Sequence, residues 1–180
     1  MATAKTAFKT SASRAPATKK NEVPKTQTAT FAAGCFWSVQ ETYRTTPGVL
    51  ESRAGYCGGH VANPTYEQIC TDETGHAEAV QVVFDPRKVS YRHLVDLFWT
   101  LHDPTVLNRQ GLNFGKHYRS MIFFHSTEQK KQADASRKEA QKRFARPIVT
   151  EIARAMPFYP AEAYHQDFFM KRNRKFCGIF

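Results

Sequence analysis

From Thr28 onward, short strand-like alternations of apolar and polar residues interleave with stretches where apolar residues recur at helical spacing. Thr28 to Ala33 reads as a strand ending at Gly34, and Ser38 to Thr46 as a short helix stopped by Pro47-Gly48. Val49 to Tyr56 is strand-like and Gly58-Gly59 ends it. Asn63-Pro64 has the form of an N-cap followed by proline at the first helical position. Glu78 to Phe84 alternates and predicts a strand. Ser90 opens a helix with Leu94, Leu97, Phe98 and Leu101 on one face, and Asp103-Pro104 closes it. Arg119 to His125 is another strand. Ser126 with Gln129 has capping-box spacing and opens a long charged helix reaching Phe144. Ile148 to Ala153 is a last strand, and Ala161 to Lys171 a last helix. Strands mixed with helices without strict alternation predict an α+β fold, a two-layer sandwich on a central mixed sheet.

Residues 1–27 break this pattern. They are rich in Ala, Thr, Ser and Lys, with Phe8 as their one aromatic residue. Such a segment cannot bury enough apolar surface to offset its ordering entropy, which predicts a disordered basic tail before one domain over 28–180. A transit peptide for an organelle is the sharper alternative for this acid-poor segment. Half of the formal charge of +10 belongs to the tail, so the basicity says little about a nucleic-acid partner. With 41% hydrophobic residues in 180, the remainder can build a core without disulfides. No apolar run approaches the ~20 residues of a membrane-spanning helix.

Candidate chemistry centres on Gly34-Cys35-Phe36-Trp37, where a glycine turn delivers a thiol to the start of a helix. The positive end of the helix dipole there is expected to favour thiolate. Phe36 and Trp37 either pack the core or wall an apolar pocket beside the thiol. Cys70, beside Ile69 on a helix face, reads as a small buried hydrophobe, Cys57 in a Gly-rich turn is ambiguous, and Cys177 lies near the C-terminus. No C-x-x-C pair exists, and His76, His102 and His117 lack close metal-ligand spacing. Glu78 falls in register with Val80, Val82 and Phe84 on the apolar face, where burial should raise its pKa and make it a candidate acid. Tyr66 and Tyr118 stand in a first helical turn and just before a strand, and each alone is an ordinary core tyrosine.

These segments, with His102-Asp103-Pro104-Thr105, Asn108-Arg109-Gln110-Gly111, Tyr118-Arg119-Ser120, Arg146-Pro147-Ile148-Val149-Thr150-Glu151 and Tyr164-His165-Gln166-Asp167, resemble the peptide methionine sulfoxide reductase A family. The resemblance runs from Thr28 to Phe169. It implies a ferredoxin-like fold and reduction of the S epimer of methionine sulfoxide, free or in proteins. Cys35 would attack the sulfoxide sulfur, with its methyl group held by Phe36 and Trp37. Glu78 would give a proton or hydrogen bond to the oxygen, and Tyr66 and Tyr118 would bind that oxygen. The sulfenic acid left on Cys35 would condense with a second thiol, Cys177 by this reading, and thioredoxin would reduce the disulfide. No bound cofactor is implied, nor a nucleic-acid or membrane partner. A monomer in the reducing cytoplasm is the expected setting.

Two departures from the family pattern stand out: Ser38 follows Trp37 where glycine is usual, and Asn113 replaces a substrate-site Asp, keeping the acceptor without the charge. Two rival readings explain less. A Cys–His acyl-transfer enzyme with His76 or His117 as base leaves Glu78 and the tyrosines unused. A nucleic-acid module built on the basic tail makes the Cys35 turn an accident.

Overall fold

The computed structural model describes Met1 and residues 25–172. The tail expected over 1–27 falls almost wholly outside the described residues, and Cys177 does too.

Strand β1 (Gln27–Ala33) leads through Gly34-Cys35 into helix α1 (Phe36–Arg44), and the chain returns as β2 (Val49–Cys57). A short helix α2 (Tyr66–Cys70) precedes β3 (Ala77–Phe84), and helix α3 (Tyr91–Phe98) follows. A small hairpin, β4 (Arg109–Gln110) and β5 (Asn113–Phe114), and a 3-10 turn (Lys116–Tyr118) lead to β6 (Ser120–Phe124). Helix α4 (Thr127–Gln141), strands β7 (Glu151–Arg154) and β8 (Tyr159–Pro160) and a short helix α5 (Phe168–Lys171) complete the described residues. The sheet has the order β7-β6-β1-β3-β2-β8 and is mixed: β6 and β7 run parallel, the other neighbours antiparallel.

Period-two alternation sorts each strand between two faces. Ala29, Phe31 and Ala33 of β1 join Val80, Val82 and Phe84 of β3 in a core against Val39 and Tyr43 of α1 and Leu94, Val95 and Phe98 of α3. The intervening Ala32, Ala77 and Ala79 form a second, smaller cluster with Cys57, Met121 and Phe123 on the opposite face. Helix α4, polar over most of its length, closes on the main core with Ala133 and Ala140.

The element ends depart from expectation where tertiary bonds compete with local capping. Thr65, not Asn63, caps α2 through a full capping box with Gln68, while Asn63 takes a left-handed φ of 48°. At α4, Ser126 accepts from the Gln129 N–H, but the Gln129 side chain accepts from His125 N–H and donates to Thr28 O of β1. The helix expected over Ala161 to Lys171 is reduced to α5, because Asp167 is left-handed (φ 54°) and Gln166 is drawn inward. The Gln166 amide bonds both Ala54 N–H and Ala54 O, with Ala161 O and Gln40 completing its partners.

Candidate active site

The turn between β1 and α1 is shaped from both sides. Gly34 has φ 81°, and a Cβ there would stand 2.7 Å from Gln110 Cγ. Gln110 cannot retreat easily: its amide accepts from Asp103 N–H and donates to Asp103 O, which also pins the irregular 103–110 stretch. Cys35, half-buried, is thereby set as the N-cap of α1.

The expectation of a thiolate at this position is corrected. The Cys35 pKa is pushed up to about 12, first by burial and then by the charge of Glu78. The N–H groups of Trp37 and Ser38 pull the other way and do not prevail. A helix N-terminus in a dry site loses to desolvation, which penalises any anion there.

Glu78 occupies the face expected for it. It is 1% exposed, sits cross-strand from Tyr56, and accepts a 3.0 Å hydrogen bond from Phe36 N–H. Burial pushes its pKa up to about 8 against the opposing effect of that bond. Glu78 is therefore a protonated acid at neutral pH, held one residue from the thiol.

Tyr66 arrives on α2 and Tyr118 on the 3-10 turn, and their hydroxyls hydrogen-bond each other. Both phenols are pushed up by burial and by the Glu78 charge, so both remain donors. Aromatic rings surround the turn. Phe36 packs 6.0 Å from Tyr56, and Trp37 stacks on Phe168 at 3.6 Å.

Sequence reasoning assigned no role to His165, Glu162, Tyr56 or Phe168. His165 Nδ1 accepts from Trp37 Nε1 at 3.0 Å, with Phe36 and Tyr66 rings 5.0 and 4.4 Å away. Glu162 accepts from Tyr56 Oη and from Tyr66 N–H, which fixes the start of α2 against β2. The motif Tyr164-His165-Gln166-Asp167 was visible in the chain, but what its residues touch depends on closing loops of more than a hundred residues.

Other candidates are not brought together. Cys57 is 1% exposed on the opposite face of the sheet, with Ala77 rather than Glu78 beside it. Cys70 is exposed, against the expectation of burial, because Ile69 takes the core position; its sulfur bonds the Tyr66 hydroxyl. Asn113 lies exposed on the hairpin, opposite Gln110. The histidines named as possible bases are committed elsewhere: His76 to Gly59 N–H and Val61 O, His117 to Asp72. A Cys–His pair is thus not assembled among the described residues. Nor do they contain a group of three or more His, Cys, Asp or Glu able to hold a metal ion.

The family model described as peptide methionine sulfoxide reductase matches residues 27–179. Peptide methionine sulfoxide reductase MsrA of Methanosarcina acetivorans is 56% identical over 147 residues, 81% of this chain and 78% of the relative. That of Geobacter metallireducens is 52% identical over 160 residues, 88% and 99% of the two chains. Among solved structures, reduced Mxr1 from Saccharomyces cerevisiae aligns with TM-score 0.81 at 32% identity, covering 88% of this chain and 92% of that one. Methionine sulfoxide reductase A of Corynebacterium diphtheriae aligns with TM-score 0.76 at 34% identity, covering 86% and 79%. Mxr1 in complex with Trx2 aligns with TM-score 0.58 at 27% identity, covering 84% and 90%. The fold and this turn thus define an oxidoreductase acting on methionine sulfoxide. The chain belongs to the peptide methionine sulfoxide reductase family, on the MsrA side of it.

Proposed function

We propose that the chain reduces methionine-S-sulfoxide, free or within oxidised proteins, by thiol chemistry at Cys35 with Glu78 as the acid. The observation that carries this reading is the placement of Glu78, fully buried and bonded to Phe36 N–H next to the thiol, where burial pushes its pKa up to about 8. A sulfoxide oxygen departs poorly as an anion, so it needs an acid that is still protonated at neutral pH. Glu78 gives its proton to that oxygen as the Cys35 sulfur attacks, and the thiol proton returns to Glu78. The oxygen ends on Cys35 as sulfenic acid and methionine leaves. Two electrons pass from the cysteine sulfur to the sulfoxide sulfur, and the protons balance. Tyr66 and Tyr118 donate to the oxygen, and Phe36 and Trp37 hold the methyl group in the apolar pocket. Asn113, on the hairpin whose Gln110 lies against Gly34, takes a substrate-facing role.

Cys177 condenses with the sulfenic acid, releasing water and forming a disulfide, which thioredoxin reduces by exchange. The yeast relative seen with Trx2 supports this partner. The burial of Cys57 on the far face favours Cys177 over it as the resolving thiol. Neither cofactor nor metal is needed. We read the inner strand order β6-β1-β3-β2 as a ferredoxin-like core, with the catalytic domain over 28–180 as a monomer. Archaeal and bacterial relatives at about half identity favour the cytoplasm over an organelle.

The test is turnover of the separate S and R epimers with thioredoxin, by the wild type and by Cys177→Ser. Reduction of the S epimer alone, with one equivalent of methionine formed by Cys177→Ser before it stalls, is the expected result. Equal use of both epimers, or turnover of neither, sinks the assignment of the chemistry. Continued turnover by Cys177→Ser removes Cys177 from the resolving step.

A further inference from the structure

Tyr66 and Tyr118 come from segments 52 residues apart in the chain, α2 and the 3-10 turn. One side chain joins those segments. Asp72, just beyond the end of α2, takes a left-handed φ of 62° and turns its carboxylate onto the 3-10 turn. Asp72 Oδ1 accepts from His117 N–H at 3.0 Å and from His117 Nδ1 at 2.5 Å. Lys116 N–H is a further donor to the same carboxylate. A carboxylate only accepts, so His117 Nδ1 carries the hydrogen in this contact.

The turn is moulded around this contact. Gly115 has φ 141°, and a Cβ there would lie 2.5 Å from His117 Cε1 and 3.1 Å from Asp72 Oδ2. The His117 side chain is only 7% exposed, and its ring packs 4.1 Å from that of Tyr118, the next residue. Tyr118 in turn hydrogen-bonds Tyr66 and lies within electrostatic reach of Cys35 and Glu78. The chain of contact therefore runs from Asp72 through His117 to Tyr118, and back through Tyr66 to the helix that Asp72 terminates.

We propose that Asp72 and His117 are positioning residues that clamp Tyr118 against Tyr66 beside the reacting thiol. The clamp rests on the functional reading above, in which both phenols bind the sulfoxide oxygen. Neither clamp residue touches substrate. Their effect is on where the Tyr118 hydroxyl stands, and sub-ångström placement of a donor carries rate.

The experiment measures kcat/KM for methionine-S-sulfoxide in the full-length wild type, Asp72→Ala, Asp72→Asn, His117→Phe, Tyr118→Phe and the Asp72→Ala/Tyr118→Phe double variant. All are assayed at a temperature where circular dichroism shows them folded. Asp72→Ala and His117→Phe should each lose about tenfold in kcat/KM. Asp72→Asn keeps an acceptor for the two His117 donors and should stay within about threefold of wild type. If Asp72 acts through Tyr118, adding Asp72→Ala to Tyr118→Phe should cost less than about twofold further. Should Asp72→Ala not fold, His117→Phe carries the same test alone. Losses that simply multiply in the double variant overturn the clamp, as does wild-type kcat/KM in Asp72→Ala or His117→Phe. Absence of turnover by the wild type itself overturns the functional reading, and the clamp with it.

Discussion

Cys35 and Glu78 share one corner of the fold, where burial raises the pKa of both groups and the Glu78 charge raises that of Cys35 further. The resting pair near neutral pH is therefore thiol and carboxylic acid, both protonated. This suits a reaction in which one proton must reach oxygen and another must leave sulfur. The pH profile follows from Glu78, whose proton is lost as pH rises through about 8. The rate of the sulfoxide step should fall through that range in the wild type. In Glu78→Gln the descending limb should vanish and the rate drop by about 10²–10⁴-fold at neutral pH. Single-turnover methionine release across pH reads both, and a limb that survives in Glu78→Gln removes Glu78 as the acid. Cys57 supplies the contrasting case. It is buried on the far side of the sheet, its thiol pushed up by burial, with Met156 O as its acceptor. Buried apolar cysteines are inert, so Cys57→Ala should keep thioredoxin-dependent turnover within about twofold of wild type. A stall after one turnover would instead make Cys57 a participant.

At the scale of elements, the aromatic surround of Cys35 depends on a C-terminal segment with little regular structure of its own. Gln166 holds it there with four hydrogen bonds to Ala54, Ala161 and Gln40, and Gln40 Oε1 accepts from Asp167 N–H. This places His165 under Trp37 and Glu162 at the start of α2. Gln166→Leu fills similar space but strands several buried polar groups, at about 1–3 kcal/mol each. Urea unfolding should show a lowered midpoint with unchanged slope, and an unchanged midpoint would mean the segment is held by packing alone. The same segment marks the limit of what the sequence makes legible. Alternation places Glu78, Val80, Val82 and Phe84 on one face because a strand's period is local. The Gly34-Cys35 turn is legible because a left-handed glycine and a helix start are also local. The extent of α5, the exposure of Cys70 and the role of His165 are not legible. The extent of α5 and the role of His165 depend on partners remote in the chain, and the exposure of Cys70 on which of two neighbouring residues, here Ile69, the core takes.

For the whole molecule, a buried acid is a liability that the rest of the fold must offset. Glu78 binds its proton more tightly when folded, near 8 against an ordinary 4.5, so its contribution to stability is complete below about pH 4.5 and lost as pH rises through 8. Other groups slope the opposite way. Asp72, Asp103 and Glu162 are held below the usual carboxylate range after partial opposition from burial, by hydrogen bonds from His117, Thr105 and Tyr56 among others. Their contributions fade as pH falls. His102, buried and lowered to about 4, and His76, lowered mainly by burial, likewise cost stability in acid, because they stay neutral in the fold while the unfolded chain binds their protons. The wild-type stability curve mixes these opposing slopes, but the difference between wild type and Glu78→Gln isolates one of them. Relative to wild type, Glu78→Gln should gain stability steadily from pH 5 to pH 8, by up to about 1.4 kcal/mol per pH unit. Urea unfolding of the two proteins at matched pH values gives that difference directly. Parallel curves would show Glu78 titrating as an ordinary carboxyl group, and an ordinary carboxyl group would already have lost its proton at neutral pH, where the proposed acid role requires one.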